Sequence, residues 1–249
     1  MRERIDILGT KIDVVSWNSA VDRIIGWAGR HESKYVCACN VHVVVSAKGD
    51  LRLAEALDQA DLATPDGMPI AWSIRRAGFP DQQRINGPDL MLETCARAAQ
   101  AGISVFLFGS EPATLTALRN QLIKLLPSLQ LAGVYSPPFR QLSRKENSEI
   151  ATMINSSGAG IVFVGLGCPK QEIWMRRQRG SIKAVMLGVG AAFDYHAGTL
   201  RRAPAWMRNI GMEWLYRLLA EPRRLWRRYL VTNSLFIAAT TAQLIRAKK

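Results

Sequence analysis

The sequence predicts an α/β fold: a mostly parallel sheet with helices on both faces, followed by a helical appendage at the C-terminus. Three observations carry this prediction. Short apolar runs alternate with longer segments of helical period, as strands and crossover helices do. Several of the short runs are continuous in Val, Ile and Phe, the pattern of strands buried on both faces. After Gly198 the composition changes. Leu200–Lys249 holds no convincing strand and interleaves Trp206, Trp214, Tyr216, Trp226 and Tyr229 with arginines.

The elements follow in order. Ile5, Ile7, Ile12 and Val14 alternate about Gly9–Thr10, which predicts a hairpin over Ile5–Val15. Strands are expected at Tyr35–Cys39, Ile103–Phe108, Leu129–Val134, Ile161–Val164 and Ala184–Val189. Helices are expected between them, at Asn18–Gly29, Leu51–Ala60, Pro69–Ala77, Leu90–Ala101, Ala113–Leu126, Lys145–Ser156 and Lys170–Arg179. Gly102 and Gly158 stand where helix C-caps belong. Leu230–Ile245 spans about sixteen residues and includes Thr232, Asn233, Ser234, Thr240, Thr241 and Gln243. A membrane-spanning helix wants roughly 20 mostly apolar residues, so an interfacial or packed helix is expected there. The chain divides into a body, residues 1–199, and the appendage, residues 200–249.

Composition narrows the classes. The chain has 249 residues, 48% hydrophobic and 21% charged, which excludes a disordered or fibrous protein. Its four cysteines are too few and scattered for a disulfide framework, and its three histidines do not suit a His-rich metal site. A reducing, cytoplasmic compartment fits. The charged start, Met1-Arg2-Glu3-Arg4, lacks the apolar core of a signal peptide. No H-E-x-x-H, G-x-S-x-G, zinc spacing or D-x-D carboxylate pair is present, so neither a metal nor a cofactor is expected.

The net charge is +13, and from Arg201 onward eleven Lys/Arg against two Asp/Glu account for +9 of it. Such a segment calls for nucleic acid, an anionic membrane surface or a phosphorylated ligand. Against nucleic acid stand the nearly neutral body and the lack of a helix-turn-helix, RRM or KH signature. A membrane-surface adaptor without catalysis would leave the polar turns described next unexplained.

In open parallel sheets, ligands sit beyond the carboxyl ends of the strands. Thr64-Pro65-Asp66-Gly67-Met68-Pro69 holds Asp66 on a rigid corner before a helix, either as a general base or as an N-cap. Gly165-Leu166-Gly167-Cys168-Pro169-Lys170-Gln171-Glu172 is a glycine turn entering a helix, either an anion site or a plain turn. Lys170 is at the start of that helix, and Cys168 is read as a small packing residue. Gly190-Ala191-Ala192-Phe193-Asp194 admits close approach, with Asp194 as a site acid or a structural acceptor. Arg84-Ile85-Asn86-Gly87-Pro88-Asp89-Leu90 is a polar turn in which Arg84 is free for an anion and Asp89 caps or opens a helix. Asn40 follows a strand and is placed to bind a sugar or a base. Arg217, Arg224 and Arg228 share a face if one helix runs through them, a condition Pro222 limits.

Taken in order, these segments resemble the WecG/TagA/CpsF family of bacterial glycosyltransferases. The matching run continues through Arg202-Ala203-Pro204-Ala205-Trp206, Glu213-Trp214-Leu215-Tyr216-Arg217, Glu221-Pro222-Arg223-Arg224 and Arg227-Arg228-Tyr229. The resemblance implies a Rossmann-like body with a mobile appendage. It also implies an inverting, metal-independent transfer from a UDP-sugar to an undecaprenyl-diphosphate-linked saccharide at the inner membrane face. Donors in the family include UDP-N-acetylmannosamine, its uronic acid and UDP-glucose. By the same resemblance Asp66 is the base, and Asn40 and Gln171 line the donor site. Arg84, Arg217, Arg224 and Arg228 meet diphosphate. Asn86, Asp89, Gly165, Gly167, Lys170 and Asp194 complete the expected substrate-binding set. Ala38 and Cys39 stand where many relatives carry a Thr. A homo-oligomer is left open.

Overall fold

The computed structural model describes residues 2–246, apart from the side chains of Arg228 and residues 241–246. The strands are β1 (Arg4–Ile7), β2 (Thr10–Asp13), β3 (Lys34–Cys39), β4 (Leu62–Pro65), β5 (Val105–Gly109), β6 (Leu131–Tyr135), β7 (Ile161–Gly165) and β8 (Val185–Gly188). The body helices are α1 (Trp17–Gly29), α2 (Val41–Ala47), α3 (Leu51–Asp58), α4 (Met68–Arg76), α5 (Gly87–Gln100), α6 (Pro112–Leu125), α7 (Arg144–Ser156), α8 (Lys170–Gln178) and α9 (Ala192–Ala197). Three C-terminal helices follow: α10 (Ala205–Asn209), α11 (Glu213–Ala220) and α12 (Pro222–Arg246).

β3 to β8 form one six-stranded sheet in the order β4-β3-β8-β7-β5-β6, and every pairing in it is parallel. The fold is Rossmann-like α/β, as the alternation predicts. Side chains alternate across the sheet with the period of two that a strand imposes. Val36, Leu107, Phe163 and Leu187 point to the layer of α1, α5, α6 and α9. Tyr35, Cys37, Phe108, Val164 and Met186 point to the opposite layer, with α2, α3, α7 and α8. Both faces are covered, which is why the strands read as unbroken apolar runs.

Three elements of the body depart from expectation: β4, α2 and the short α9 that follows the glycine turn after β8. β4 was not expected as a strand: it has four residues, ends on a proline and occupies the sheet edge, where a missing N–H is tolerated. α2 begins immediately after β3 and carries Val43-Val44-Val45, a β-branched run whose composition favours a strand. Its signal is Asn40, whose side chain accepts from the Val43 N–H as an N-cap. The hairpin turns one residue earlier than expected, on Leu8 and Gly9, both at positive φ.

Among the C-terminal helices, the chain breaks at Glu221 and Pro222 opens α12. Arg217 therefore lies on α11 and Arg224 on α12, so the single-helix arrangement is not the one formed. Leu225, Tyr229, Thr232 and Phe236 recur at helical spacing as the buried face of α12, which packs on α2 and α11. Trp226, Leu230, Val231, Leu235 and Ile237 face outward. Among the described residues no helix is long and apolar enough to cross a membrane.

Candidate active site

The loops at the carboxyl edge of the sheet, together with α11 and α12, enclose a cavity of about 1310 Å³. It lies across β3 and β8. From β3 the chain moves outward to β4, and the rest of the sheet builds on the other side, so this is where ligands of open parallel sheets collect. Of the expected site residues, Asn40, Asp66, Arg84, Asn86, Gly165, Gly167, Gln171, Asp194, Arg217 and Arg224 line it. Asp89 and Lys170 do not: Asp89 is turned into an ion pair and Lys170 is exposed on α8. The side chain of Arg228 lies outside the described residues.

Asp66 sits at the end of β4, where its N–H donates to the carbonyls of Cys39 and Thr64. The next residue, Gly67, has φ of 88° and is itself the N-cap of α4, which no side chain caps. Asp66 is thus free of the capping duty that was its alternative reading. Among the described residues its carboxylate accepts one hydrogen bond, from Asn40 Nδ2 at 3.5 Å. Burial pushes its pKa up to about 6; the Arg84 charge pulls it down, Glu213 raises it, and the Asn40 hydrogen bond and Arg202 lower it. Asn40 is held for this contact by its own capping bond to α2.

The sequence leaves Arg84 free for an anion, but the structure pairs it. Its Nη1 lies 3.0 Å from Glu213 Oε2, and both side chains are largely buried. Asn86 caps α5 by accepting from the Asp89 N–H at 3.0 Å and donates to Asp89 Oδ2 at 2.7 Å. Asp89 is a first-turn acid rather than the cap. Arg202 binds both Asp89 oxygens and also donates to Asn86 Oδ1 at 2.9 Å. Burial raises the Asp89 pKa, but the Arg202 and Asn86 hydrogen bonds outweigh it and hold it at about 2.

On the opposite wall, the glycine turn is packed as much as it is open. A Cβ on Gly165 would come within 2.7 Å of the Phe193 ring, so that glycine serves packing. Gly167 has φ of 74°, and its N–H donates to Gln171 Oε1 at 3.2 Å. Gln171 Nε2 in turn donates to Glu172 Oε1 at 2.8 Å. Glu172 is completely buried, and burial raises its pKa toward the neutral acid against hydrogen bonds from Gln171, its own backbone and Cys168. The buried Glu172 carboxyl therefore fixes the side-chain amide of Gln171.

Positive charge enters the cavity from the C-terminal helices. The Arg217 guanidinium lies 5.7 Å from the centre of the Tyr195 ring, and its buried Nε has no hydrogen-bond partner among the described residues. Arg224 pairs with Glu221 at 3.0 Å. Asp194 faces these two arginines; burial raises its pKa, while Arg224 and Arg217 oppose that rise. Among the described residues no cluster of three or more His, Cys, Asp or Glu is arranged to hold a metal ion.

Glu213, Arg202 and Glu172 are the residues that the sequence did not single out for the site. Periodicity carries no trace of a pairing across more than 100 positions. One signal was available for Glu213: it is one of only two acids from Arg201 onward.

Fold and site together define an α/β protein with a cavity at the crossover of a parallel sheet, where basic C-terminal helices face an acid of raised pKa. Within that class, the family model described as Glycosyl transferase WecG/TagA/CpsF family matches residues 5–249, and the chain belongs to this family. It is a glycosyltransferase of cell-surface polymer synthesis, taking a sugar donor and a lipid-linked acceptor.

Proposed function

We propose that the enzyme moves a sugar from a UDP-sugar to an undecaprenyl-diphosphate-linked saccharide with inversion, on the inner face of the cell membrane. The donor class is UDP-N-acetylmannosamine, its uronic acid, or UDP-glucose. Residues 1–199 form the catalytic body, and 200–249 form the appendage that meets acceptor and membrane. The observation that carries the reading is Asp66: a cavity-lining carboxylate, held up at about 6, that forms no ion pair among the described residues while the acids beside it are paired.

Asp66 takes the proton of the acceptor hydroxyl as that oxygen attacks the anomeric carbon. The bond from that carbon to the diphosphate breaks, and UDP leaves with the electron pair. Arg217, whose buried Nε has no hydrogen-bond partner among the described residues, and Arg224 face the charge that develops on the diphosphate. Arginine forks suit that task, and the sequence lacks the D-x-D pair that would hold a metal-bound donor. Gln171, oriented by Glu172, is a fixed donor-site contact.

A UDP-release assay tests this directly. It would use a panel of UDP-sugars with and without a short-chain lipid-diphosphate sugar, in EDTA. Acceptor-dependent release from one donor is expected. No release from any donor, together with no UDP binding by calorimetry, would remove the reading.

A further inference from the structure

Three carboxylates and three arginines meet where the sheet's carboxyl edge faces the C-terminal helices, the outermost being Arg208, whose Nη1 lies 3.8 Å from Asp89 Oδ2. Asp89 takes Arg202, with one bond from Nη2 to Oδ2 at 3.0 Å. Glu213 takes Arg84, Nη1 to Oε2 at 3.0 Å, and its other oxygen lies 3.4 Å from Arg202 Nε. Asp66 is the acid left over, with only the long contact from Asn40 at 3.5 Å among the described residues. Yet Arg84 is the cation that acts most strongly on Asp66. The three groups come from three elements: the β4–α4 corner, the polar turn before α5, and the first turn of α11. Arg84 and Glu213 are only 12% and 19% exposed, so this is not the loose surface pair that contributes little.

We propose that Glu213 is a positioning residue for the transfer reaction: by holding Arg84 in an ion pair it keeps the Asp66 carboxylate unpaired and open to the acceptor hydroxyl. This rests on the reading of Asp66 as the base. The charged groups acting on Asp66 are Arg84, Arg202 and Glu213, with the Asn40 amide as a donor and the buried Cys39 thiol at the end of β3 close by. Removing Glu213 takes away a negative neighbour, frees Arg84 and loosens Arg202. These changes stabilise the Asp66 anion and weaken it as a base. Because Glu213 rides on α11, the base is set only while that helix is seated.

The test is a carboxyl-carbon NMR titration of the full-length protein labelled at aspartate, with the Asp66 signal identified by its loss in Asp66→Asn. A midpoint about 6 is expected for the unaltered chain. Glu213→Gln should lower it by about one pH unit. Arg84→Gln/Glu213→Gln should bring it back, since the cation that Glu213 restrains is then gone. In Glu213→Gln, kcat should fall on the order of tenfold while the donor KM stays within about twofold. An unmoved midpoint in Glu213→Gln overturns the proposal. So does a double variant displaced as far as the single one, because Glu213 would then merely anchor α11. Should Glu213→Gln not fold, Glu213→Asp keeps the charge but withdraws it by one methylene; a partial lowering supports the role, and none overturns it. Full transfer by Asp66→Asn overturns the base reading itself, whereas an inactive Asp66→Asn together with an unmoved midpoint in Glu213→Gln removes only the role of Glu213.

Discussion

Asp66 joins catalysis to instability in one side chain. A carboxyl whose folded pKa rises from 3.8 to about 6 binds its proton more tightly in the native state than in the unfolded one. Stability therefore falls as pH rises between those values, because the native state must release a proton that the unfolded state has already lost. The full displacement corresponds to about 3 kcal/mol. Asp66→Asn keeps the size and the Asn40 contact and loses the charge. It should melt higher than the parent at pH 7, by about 5–10 °C, and the gap should close by pH 4. The same variant should lose transfer by about 10²–10⁴-fold while keeping UDP affinity, and the parent's activity should fall on the acid side with a midpoint near 6. Scanning calorimetry at the two pH values, beside the release assay, checks both. A variant that is more stable and fully active would leave Asp66 as a structural liability with no chemical role. At this scale the residue was legible in the sequence, because a proline and a glycine bracket it. Its freedom from capping was not, because that depends on Gly67 beginning α4.

The elements explain which parts of the fold the sequence discloses. β3, β5, β7 and β8 are central strands covered on both faces, so hydrophobicity alone marks them. β4 at the edge and the valine-rich α2 are fixed by neighbours rather than by their own composition. Glycines divide in the same way. Gly109 closes β5 opposite Gly165 of β7, with φ of 115°. A Cβ there would lie 2.7 Å from the Gly165 backbone. Gly78, just after α4, has φ of 105° with nothing within 4 Å of the same position. Gly78→Ala should cost only the backbone strain, about 1–2 kcal/mol. Gly109→Ala adds a clash with main chain that cannot move without breaking the β5–β7 ladder, so about 3–5 kcal/mol is expected. Urea unfolding of the two variants separates the contributions. Equal losses would mean that the close approach of β5 and β7 relaxes without cost. The glycine turn at Gly165 and Gly167 belongs to this argument, since its small residues are required by Phe193 and by a left-handed backbone before any ligand is considered.

At the scale of the molecule, charge and apolar surface converge on one region. Residues from Arg201 onward carry +9 of the +13, and the described residues there expose Trp206, Ile210, Leu219, Trp226, Leu230, Val231, Leu235 and Ile237. A soluble helix that buries one face usually offers water a polar one. α12 instead buries Leu225, Tyr229 and Phe236 against the body and offers a second apolar stripe outward, beside exposed Arg223 and Arg227. The Arg227 guanidinium lies 5.3 Å from the Trp226 ring, a pairing of aromatic and cation that suits a membrane interface. This is the composition of an interfacial helix rather than a spanning one. Each basic residue near an anionic leaflet contributes about 1 kcal/mol, so reversing two of them changes the attraction by several kcal/mol at low salt. Arg223→Glu/Arg227→Glu should therefore reduce co-sedimentation with vesicles containing an anionic phospholipid by more than tenfold. The unaltered protein should itself be released progressively as salt rises from 50 to 500 mM, on the scale set by a Debye length of about 10 Å at 0.1 M. Neither position lines the cavity, so transfer to a short-chain, water-soluble acceptor should be unchanged by the double reversal. Salt-insensitive binding would assign the attachment to the apolar stripe alone, and Leu230→Ser/Leu235→Ser would then be the substitutions that release the enzyme.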